Sequence, residues 1–281
     1  MNGVPLIGLA AGGTGGHMFP AEALAQEMKR RGWRTLLFTD ERGMRYAQGF
    51  PADILQKLPA ANPNVSGLAG KAGAGMALAR ATVLSLRTIR RYRPAIIVGF
   101  GGYPSAPAML AARLMRIHHG VHEQNAVLGR VNRVVAPKAD FVAHAFRKLH
   151  RLPGNCRGRV VELGNPVRDA IRDKAGAPFV PPAEFSELNL FVFGGSQGAS
   201  LFSRIIPNAV ASLPEPTRKR LHLVQQVRES EIEQVQQQYE NAGVKHTLQP
   251  FFSDMPARLA AAHLIISRSG ASSVTEIATV G

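Results

Sequence analysis

The sequence predicts an α/β protein built from two Rossmann-like domains, each a parallel sheet covered by helices. Its 281 residues, 45% of them apolar, suit two domains of ordinary size. Short apolar segments rich in β-branched residues alternate with longer helical patterns, which is typical of parallel sheets. An apolar strand, a glycine-rich turn and a helix start also follow one another twice, in LIGLAAGGTGGH and in NLFVFGGSQGAS. This weak repeat indicates two similar halves.

The predicted elements follow in chain order. Buried strands are expected at VPLIGLA, RTLLFT, AIIVGF and DFVAHA in the first half, and at LNLFVFG, LHLVQQ and HLIIS in the second. The first helix has Pro20 and Glu22 near its start and Gly32 as its stop. A Pro- and Ala-rich stretch over 173–187 predicts a surface connection. We place the domain change just before it, which gives an N-terminal domain at 1–163 and a C-terminal domain at 164–281.

The composition predicts attraction to polyanions. Lys and Arg number 34 against 19 Asp and Glu, a formal net charge of +15. The excess is regional, because no acidic residue occurs between Asp53 and Glu123. The excess of basic residues therefore predicts one basic surface, which would bind nucleic acid, anionic lipid or phosphorylated substrates.

Cysteine usage and hydropathy narrow the class of protein. The single cysteine, Cys156, excludes an internal disulfide framework and fits a reducing cytoplasm. The first residues carry no basic n-region and the uncharged stretch over 94–112 is interrupted by Gly and Pro, so neither a signal peptide nor a membrane span is expected. The histidines show no metal-ligand spacing, and we expect no metal site.

Four small-residue turns follow strands and lead into helices. They lie in GGTGGH, GFGGYPSAPAM, FGGSQGAS and SRSGASSVTE. Such turns bring backbone N–H groups and a helix N-terminus close to an anion, and phosphate is the expected ligand. The first turn has Met18 where a dinucleotide-binding loop has its third glycine, and it lacks the Lys of a P-loop. The four turns are expected to line one cleft; for a single turn, a tight connection without ligand is the alternative.

Two residues are candidate general bases. His17 stands at a helix start and has an unperturbed pKa of about 6.5, close to working pH. The alternative is a capping or phosphate-contacting side chain. In HEQNAVLGRVN, the residues His122, Glu123 and Asn125 end another strand, and Glu123 is the rival base. The alternative for Glu123 is a carboxylate paired to a nearby arginine.

A basic helix is predicted over residues 76–92. At about 100° per residue its arginines share one face, and three apolar residues fall among them. The residues of this face are Met76, Arg80, Val83, Leu84, Arg87 and Arg91. Apolar side chains inside a basic face predict contact with an anionic membrane surface, and a solvated helix face is the alternative.

The motifs together resemble the MurG family, bacterial UDP-N-acetylglucosamine transferases that act on lipid-linked N-acetylmuramyl-pentapeptide. The shared stretches are GGTGGH, GFGGYPS, HEQNAVLGRVN, GNPVR, GGSQGA, PFFSDM and SRSGASSVTEIA, in family order. The resemblance implies a GT-B architecture, with the donor held mainly by the second domain and the undecaprenyl-pyrophosphoryl acceptor approaching the first. It also implies peptidoglycan synthesis at the cytoplasmic face of the bacterial inner membrane, a peripheral location, and no nucleic-acid partner. The family continues past the last residue here, so the second domain is expected to be incomplete.

The resemblance implies roles for individual residues. Thr14, Gly15 and Gly16 would meet phosphate oxygens, with the acceptor's pyrophosphate as the expected partner, and His17 would lie near the reacting hydroxyl. Asn125 would contact the donor sugar. The donor UDP-N-acetylglucosamine would further be held by Arg168, Ser196, Gln197, Phe252, Ala271 and Glu276. The family usually has an aliphatic residue in place of Phe252, where backbone groups contact the uracil.

The chemistry implied is a single inverting displacement. A base takes the proton from the acceptor's C4 hydroxyl, and the oxygen attacks the anomeric carbon as UDP leaves. Helix N-termini and Arg168 would offset the charge on the leaving pyrophosphate, so no cofactor and no metal need be invoked. Glu276 suits a ribose diol because one carboxylate accepts two hydrogen bonds.

Two other functions are weighed from the residues. A nicotinamide-dependent oxidoreductase is favoured by the glycine turns and by Asp40, which follows the second strand at the distance expected for a ribose-binding acid. A basic module that binds RNA or membrane through charge alone would ignore UDP-sugars and lose affinity steeply with salt.

Overall fold

The computed structural model describes residues 3–59, 67–195 and 200–281. It divides into two compact units, Met1–Arg168 and Asp169–Gly281. Each unit is an all-parallel sheet with helices around it. The predicted fold class, α/β with two Rossmann-like domains, is confirmed.

The first unit is organised around a sheet of seven described strands in the order β3-β2-β1-β4-β5-β6-β7. The strands are β1 Leu6–Ala10, β2 Arg34–Thr39, β3 Ile54–Lys57, β4 Ile96–Gly99, β5 His118–Glu123, β6 Phe141–His144 and β7 Arg159–Glu162. The helices are α1 Gly15–Arg30, α2 Glu41–Met44, α3 Leu68–Tyr92, α4 Ser105–Leu114 and α5 Arg130–Val135, followed by a 3₁₀ turn at Ala136–Lys138. The strand order reverses between β1 and β4, which is where open α/β sheets bind ligands.

The core of the first unit lies on both faces of this sheet. Every residue of β1 is buried. Leu36 and Phe38 pack on one face, whereas Leu37 packs on the other. Because both faces are covered, β1 and β4 are continuous apolar runs, as the sequence predicts, whereas the equally central β5 reads HHGVHE.

The second unit has a sheet of four described strands in the order β10-β9-β8-β11. The strands are β8 Leu188–Phe193, β9 Leu221–Gln226, β10 Lys245–Gln249 and β11 Leu264–Ser267. The helices are α6 Asp169–Arg172, α7 Ser200–Ala211, α8 Glu215–Arg220, α9 Ile232–Asn241, α10 Met255–Ala261 and α11 Ala271–Val280, with a 3₁₀ turn at Glu229–Glu231. Its core centres on Leu223, Val235 and the fully buried Tyr239.

Three strands were not predicted, namely β3, β7 and β10. All three lie at the edges of their sheets. Their residues alternate between partly buried and exposed or are mostly polar, as in ILQK and KHTLQ. These three strands are covered less completely than the central ones, so their sequences lack the apolar run that identified the others, which β11, also at an edge of its described sheet, retains as LIIS.

Candidate active site

Three turns meet at the carboxyl edge of the first sheet. β1 and β4 end side by side with Ala10 opposite Gly99, and Gly99 in turn lies opposite Val121 of β5. The turns that follow are the GGTGGH turn, the pair Gly101 and Gly102, and the loop from 123 to 132. Within this unit, the expected clustering of motif residues at strand ends is therefore observed.

The GGTGGH turn is held by Asp40. The backbone N–H of Gly13 donates to Asp40 Oδ1 at 3.1 Å, and that of Gly43 donates to the same oxygen at 2.8 Å. The packing is close, because a Cβ atom on Gly12 would lie 2.8 Å from Asp40 Oδ1. Asp40 is buried and caps α2, so it has a structural partner in place of the ribose that the oxidoreductase alternative requires.

His17 lies in the first turn of α1, and its ring rests against two glycines. A Cβ atom on Gly101 would come within 3.2 Å of His17 Cε1, and one on Gly102 within 3.1 Å of Cδ2. Both glycines have positive φ, +87° and +74°, which other residues rarely adopt. Backbone without side chains thus forms one wall for the imidazole.

His17 also lines a pocket of about 250 Å³ at this sheet edge. The pocket walls include Tyr103, Glu123, Asn125 and Asn132. Asn125 is exposed, and Asn132 is buried. A partly open pocket with an imidazole, a carboxylate and amide side chains among its lining residues suits a hydroxylated substrate.

The imidazole of His17 begins a chain of hydrogen bonds that runs through two buried residues, Gln124 and His122. His17 Nδ1 lies 3.1 Å from Gln124 Oε1, and Gln124 Nε2 lies 3.1 Å from His122 Nδ1. The far nitrogen of His122, Nε2, lies 2.9 Å from the carbonyl oxygen of Gly164. Burial lowers the pKa of His122, against smaller opposing effects of the Gly164 carbonyl and the Glu123 charge, so this ring is neutral near pH 7.

Glu123 holds the loop that follows β5. Its Oε1 accepts from the backbone N–H and the side-chain amide of Asn125, both at 3.1 Å. Its Oε2 accepts from the Gly129 backbone at 2.8 Å and from Asn132 Nδ2 at 2.9 Å. The side chain is 2% exposed. The expected alternative of an arginine partner is wrong: the carboxylate is bound by amide N–H groups and organises the loop.

The residues at the start of α1 form its first turn. Thr14 is the N-cap residue, and its carbonyl accepts from the N–H groups of His17 and Met18. Its side chain makes no capping bond. Gly15 and Gly16 begin the helix, which places the positive end of the helix dipole at this edge of the sheet. Their proposed contact with phosphate oxygens stays a prediction.

Arg168, the last residue of the first unit, packs with its guanidinium against Phe19 of helix α1. Its guanidinium carbon is 3.8 Å from the centre of the Phe19 ring, which in turn packs edge-on against Tyr46. This cation–π contact orients the guanidinium without neutralising its charge.

In the second unit, two of the predicted turns are neighbours. β8 and β11 pair with Phe193 opposite Ser267, and Gly195, just after β8, lies beside the first turn of α11: a Cβ atom on it would be 3.7 Å from Ser273 Oγ. Ala271 is the first residue of α11, and Glu276 is buried further along that helix. Ser196 and Gln197, predicted to bind UDP, lie outside the described residues.

A buried glutamine links this turn to the segment containing Phe252. Gln226 Oε1 accepts from the Gly194 N–H at 3.2 Å, and Gln226 Nε2 donates to the Pro250 carbonyl at 3.0 Å. The Phe252 ring is 2% exposed and packs edge-on against Phe191. The aromatic ring thus belongs to the core and is not available to stack on a uracil.

The basic helix is longer than predicted, because α3 begins at Leu68 and ends at Tyr92. Its outward stripe consists of Met76, Arg80, Val83, Arg87 and Arg91, all exposed. Leu84 differs from the prediction, since it is half-buried against the core of the first unit. No helix in the described part of the chain is both long and apolar enough to cross a bilayer.

Two buried amide residues of this site were missed in the sequence, Gln124 and Asn132, each 1% exposed. Both stand in the HEQNAVLGRVN stretch. Because an amide does not titrate, only the histidine and the glutamate of this stretch were predicted as candidates for acid–base chemistry. Among the described residues, no group of three or more His, Cys, Asp or Glu side chains could hold a metal ion.

Family models match both halves of the chain. Residues 7–144 match the glycosyltransferase family 28 N-terminal domain, and residues 189–281 match the glycosyltransferase family 28 C-terminal domain. The crystal structure of Acinetobacter baumannii MurG superposes with a TM-score of 0.68 at 28% identity, covering 99% of this chain and 77% of that one.

Curated relatives are more similar in sequence. A transferase of Methylobacterium sp. (strain 4-46) is 45% identical over 278 residues, which are 99% of this chain and 75% of the relative. One of Phenylobacterium zucineum (strain HLK1) is 46% identical over 273 residues, 97% of this chain and 75% of the relative. Both are called UDP-N-acetylglucosamine–N-acetylmuramyl-(pentapeptide) pyrophosphoryl-undecaprenol N-acetylglucosamine transferase. These matches displace the oxidoreductase and charge-only alternatives, and the chain belongs to the MurG family of GT-B glycosyltransferases.

Proposed function

We propose that this chain transfers N-acetylglucosamine from UDP-N-acetylglucosamine to the C4 hydroxyl of lipid-linked N-acetylmuramyl-pentapeptide, with His17 as the general base. Membership of the family supports the donor and the acceptor. The observation that carries the base assignment is the setting of His17, which lines the pocket while its Nδ1 atom contacts the buried Gln124 amide. The reaction is an inverting displacement that belongs to peptidoglycan synthesis.

His17 suits the base better than Glu123 does. Each oxygen of Glu123 already accepts two hydrogen bonds, so taking up a proton would require breaking part of the loop. The Nε2 atom of His17, in contrast, has no hydrogen-bond partner among the described residues. A base must reach the proton that it abstracts. Of the two candidates, only the His17 imidazole has an acceptor atom that is not already hydrogen-bonded to the described residues.

The leaving group is a pyrophosphate, and its developing charge needs stabilisation. The positive ends of α1 and α11 and the guanidinium of Arg168 are fixed sources of positive potential, each within its own unit. Fixed dipoles and charges of this kind stabilise a transition state without reorganisation. We propose that transfer proceeds without a metal cofactor.

The donor is proposed to bind chiefly to the second unit. Glu276 would accept the two ribose hydroxyls, the start of α11 at Ala271 would face the phosphates, and the backbone at Phe252 would meet the uracil. Gln226 supports this arrangement because it ties the turn after β8 to the segment before Phe252. Asn125 of the first unit is the proposed contact for the sugar.

We propose that the acceptor's membrane is met by the outward stripe of α3, at the cytoplasmic face and without a nucleic-acid partner. Three arginines near anionic lipid contribute about 3 kcal/mol. Partial burial of Met76 and Val83, which are 62% and 45% exposed, adds roughly as much again. The neighbouring helix α4 adds exposed Leu110 and Leu114. Such an enzyme binds the surface peripherally.

Two measurements test the proposal. In calorimetry, UDP-N-acetylglucosamine should bind more tightly than UDP-glucose or GDP-mannose. The variant His17→Ala should slow transfer to a lipid-linked acceptor by about 10² or more with little effect on donor affinity. His118→Ala, an exposed histidine at the start of β5, is the matched control and should transfer normally. Near-normal transfer by His17→Ala would remove it as the base.

A further inference from the structure

The hydrogen bonds behind His17 can be followed proton by proton, starting from the Gly164 carbonyl. A carbonyl oxygen only accepts, so His122 Nε2, 2.9 Å away, must carry a hydrogen. A neutral imidazole has one N–H, and burial keeps this ring neutral. His122 Nδ1 is therefore an acceptor.

The orientation of the Gln124 amide follows next. Its nitrogen lies 2.9 Å from the His122 carbonyl oxygen and 3.1 Å from His122 Nδ1. Both are acceptors, so the NH₂ group must face them, and the reversed amide would set oxygen against oxygen. Gln124 Oε1 is left pointing at His17, and Gln124 is fully enclosed by the protein.

The last link decides the state of His17. Because Gln124 Oε1 can only accept, His17 Nδ1 must donate the hydrogen across their 3.1 Å contact. The neutral ring then has its lone pair on Nε2. The hydrogen bond made by one ring nitrogen thus determines which form the other nitrogen takes.

We propose that Gln124 and His122 are positioning residues that hold His17 as its Nδ1–H tautomer, so that Nε2 is the unprotonated nitrogen offered to the acceptor hydroxyl. The inference rests on the proposed role of His17 as the base. The Gly164 carbonyl is the fixed end of the chain, and Asn165 Nδ2 braces the same segment by donating to the Gln124 carbonyl at 3.2 Å. The GNPVR segment thus has a second role: its Gly164 and Asn165 hold His122 and Gln124 in place.

The direct test is the tautomer itself. In ¹⁵N-histidine-labelled protein, two-bond ¹H–¹⁵N correlations distinguish the two neutral tautomers, and the His17 signals are assigned by their loss in His17→Ala. We expect the Nδ1–H form in the wild-type chain at a pH where the ring is neutral. Finding the Nε2–H form would overturn the proposal without requiring any variant at Gln124.

The variant Gln124→Met keeps the approximate size and removes all three side-chain hydrogen bonds of Gln124, one to His17 and two to His122. We expect the Nε2–H form to become populated and the turnover to fall by about 10- to 100-fold, with UDP affinity unchanged. Gln236→Met, on the exposed side of α9, is the control and should change neither quantity. An unchanged tautomer in Gln124→Met would refute the positioning role. The tautomer does not depend on activity, so normal turnover in His17→Ala would refute only the base assignment.

Discussion

The two candidate bases make opposite predictions for the variant Glu123→Gln. An amide is isosteric with the carboxylate, but one of its two ends is a donor. Both ends of the Glu123 side chain face N–H groups, so either orientation sets NH₂ against two donors. The amide should place its NH₂ toward Asn125, which is exposed and can turn to water, and keep its oxygen on Gly129 and Asn132.

The size of the effect follows from these contacts. Each of the two surviving hydrogen bonds changes from a charged to a neutral acceptor, a loss of about 1 kcal/mol apiece. The backbone N–H of Asn125 loses its acceptor, which costs about 1 to 3 kcal/mol if it stays covered. Together the free energy of unfolding should fall by about 3 to 5 kcal/mol. In a unit of this size that lowers Tm by about 10 °C.

Calorimetric unfolding of the variant and the wild-type chain measures this change. Glu162→Gln, at the exposed end of β7, is the control and should alter stability by less than about 0.5 kcal/mol. If Glu123 served only as the base and did not hold the loop, Glu123→Gln would unfold like the wild type and lose nearly all turnover at every temperature below Tm. That result would refute the structural role argued here.

Three further predictions concern the donor, the membrane and pH. Glu276→Ala should weaken UDP binding by about 1.5 to 3 kcal/mol, the range for hydrogen bonds to a charged group, as measured by calorimetry. Replacing Met76 and Val83 by Ser should reduce sedimentation with anionic vesicles and leave UDP affinity unchanged. Burial lowers the pKa of His122, so the unfolded chain takes up that proton more readily and stability is lost as pH falls below about 6.5. His122→Gln should therefore lose less Tm than the wild type between pH 7 and pH 5.

Each of these has an outcome that contradicts it. Unchanged UDP affinity in Glu276→Ala would remove that carboxylate from the donor site. Equal vesicle binding by the Met76 and Val83 variant would mean that the outward stripe of α3 is only a solvated face. An equal loss of Tm in His122→Gln would show that other groups dominate the acid response.

Much of the fold could be predicted because central parallel strands have a distinctive sequence. LIGLA and LLF are apolar throughout since both faces of the sheet are covered, and a glycine-rich turn marks where the first of them ends. Strand adjacency then brings the turns together, as seen for those after β1 and β4. The edge strands β3, β7 and β10 carry no such signal.

The partners of the site residues could not be predicted, because they depend on contacts distant in sequence. His122 meets Gly164 and Asp40 meets Gly13, and neither pair has a local pattern. Leu84 shows the same limit for a helix. A helical wheel finds one apolar face, but α3 packs against α4 as well as the sheet, so the buried face is wider than the wheel predicts.

The four N–H groups gathered by Glu123 have a consequence for altering the enzyme. One carboxylate holds the backbone N–H groups of Asn125 and Gly129 and the side-chain amide of Asn132, so the side chains of the pocket-lining Arg130 and Val131 are not needed to shape the loop. Those two positions can be randomised to seek variants with altered acceptor preference while the scaffold stays intact. A library that also varied Glu123 would be dominated by misfolded members.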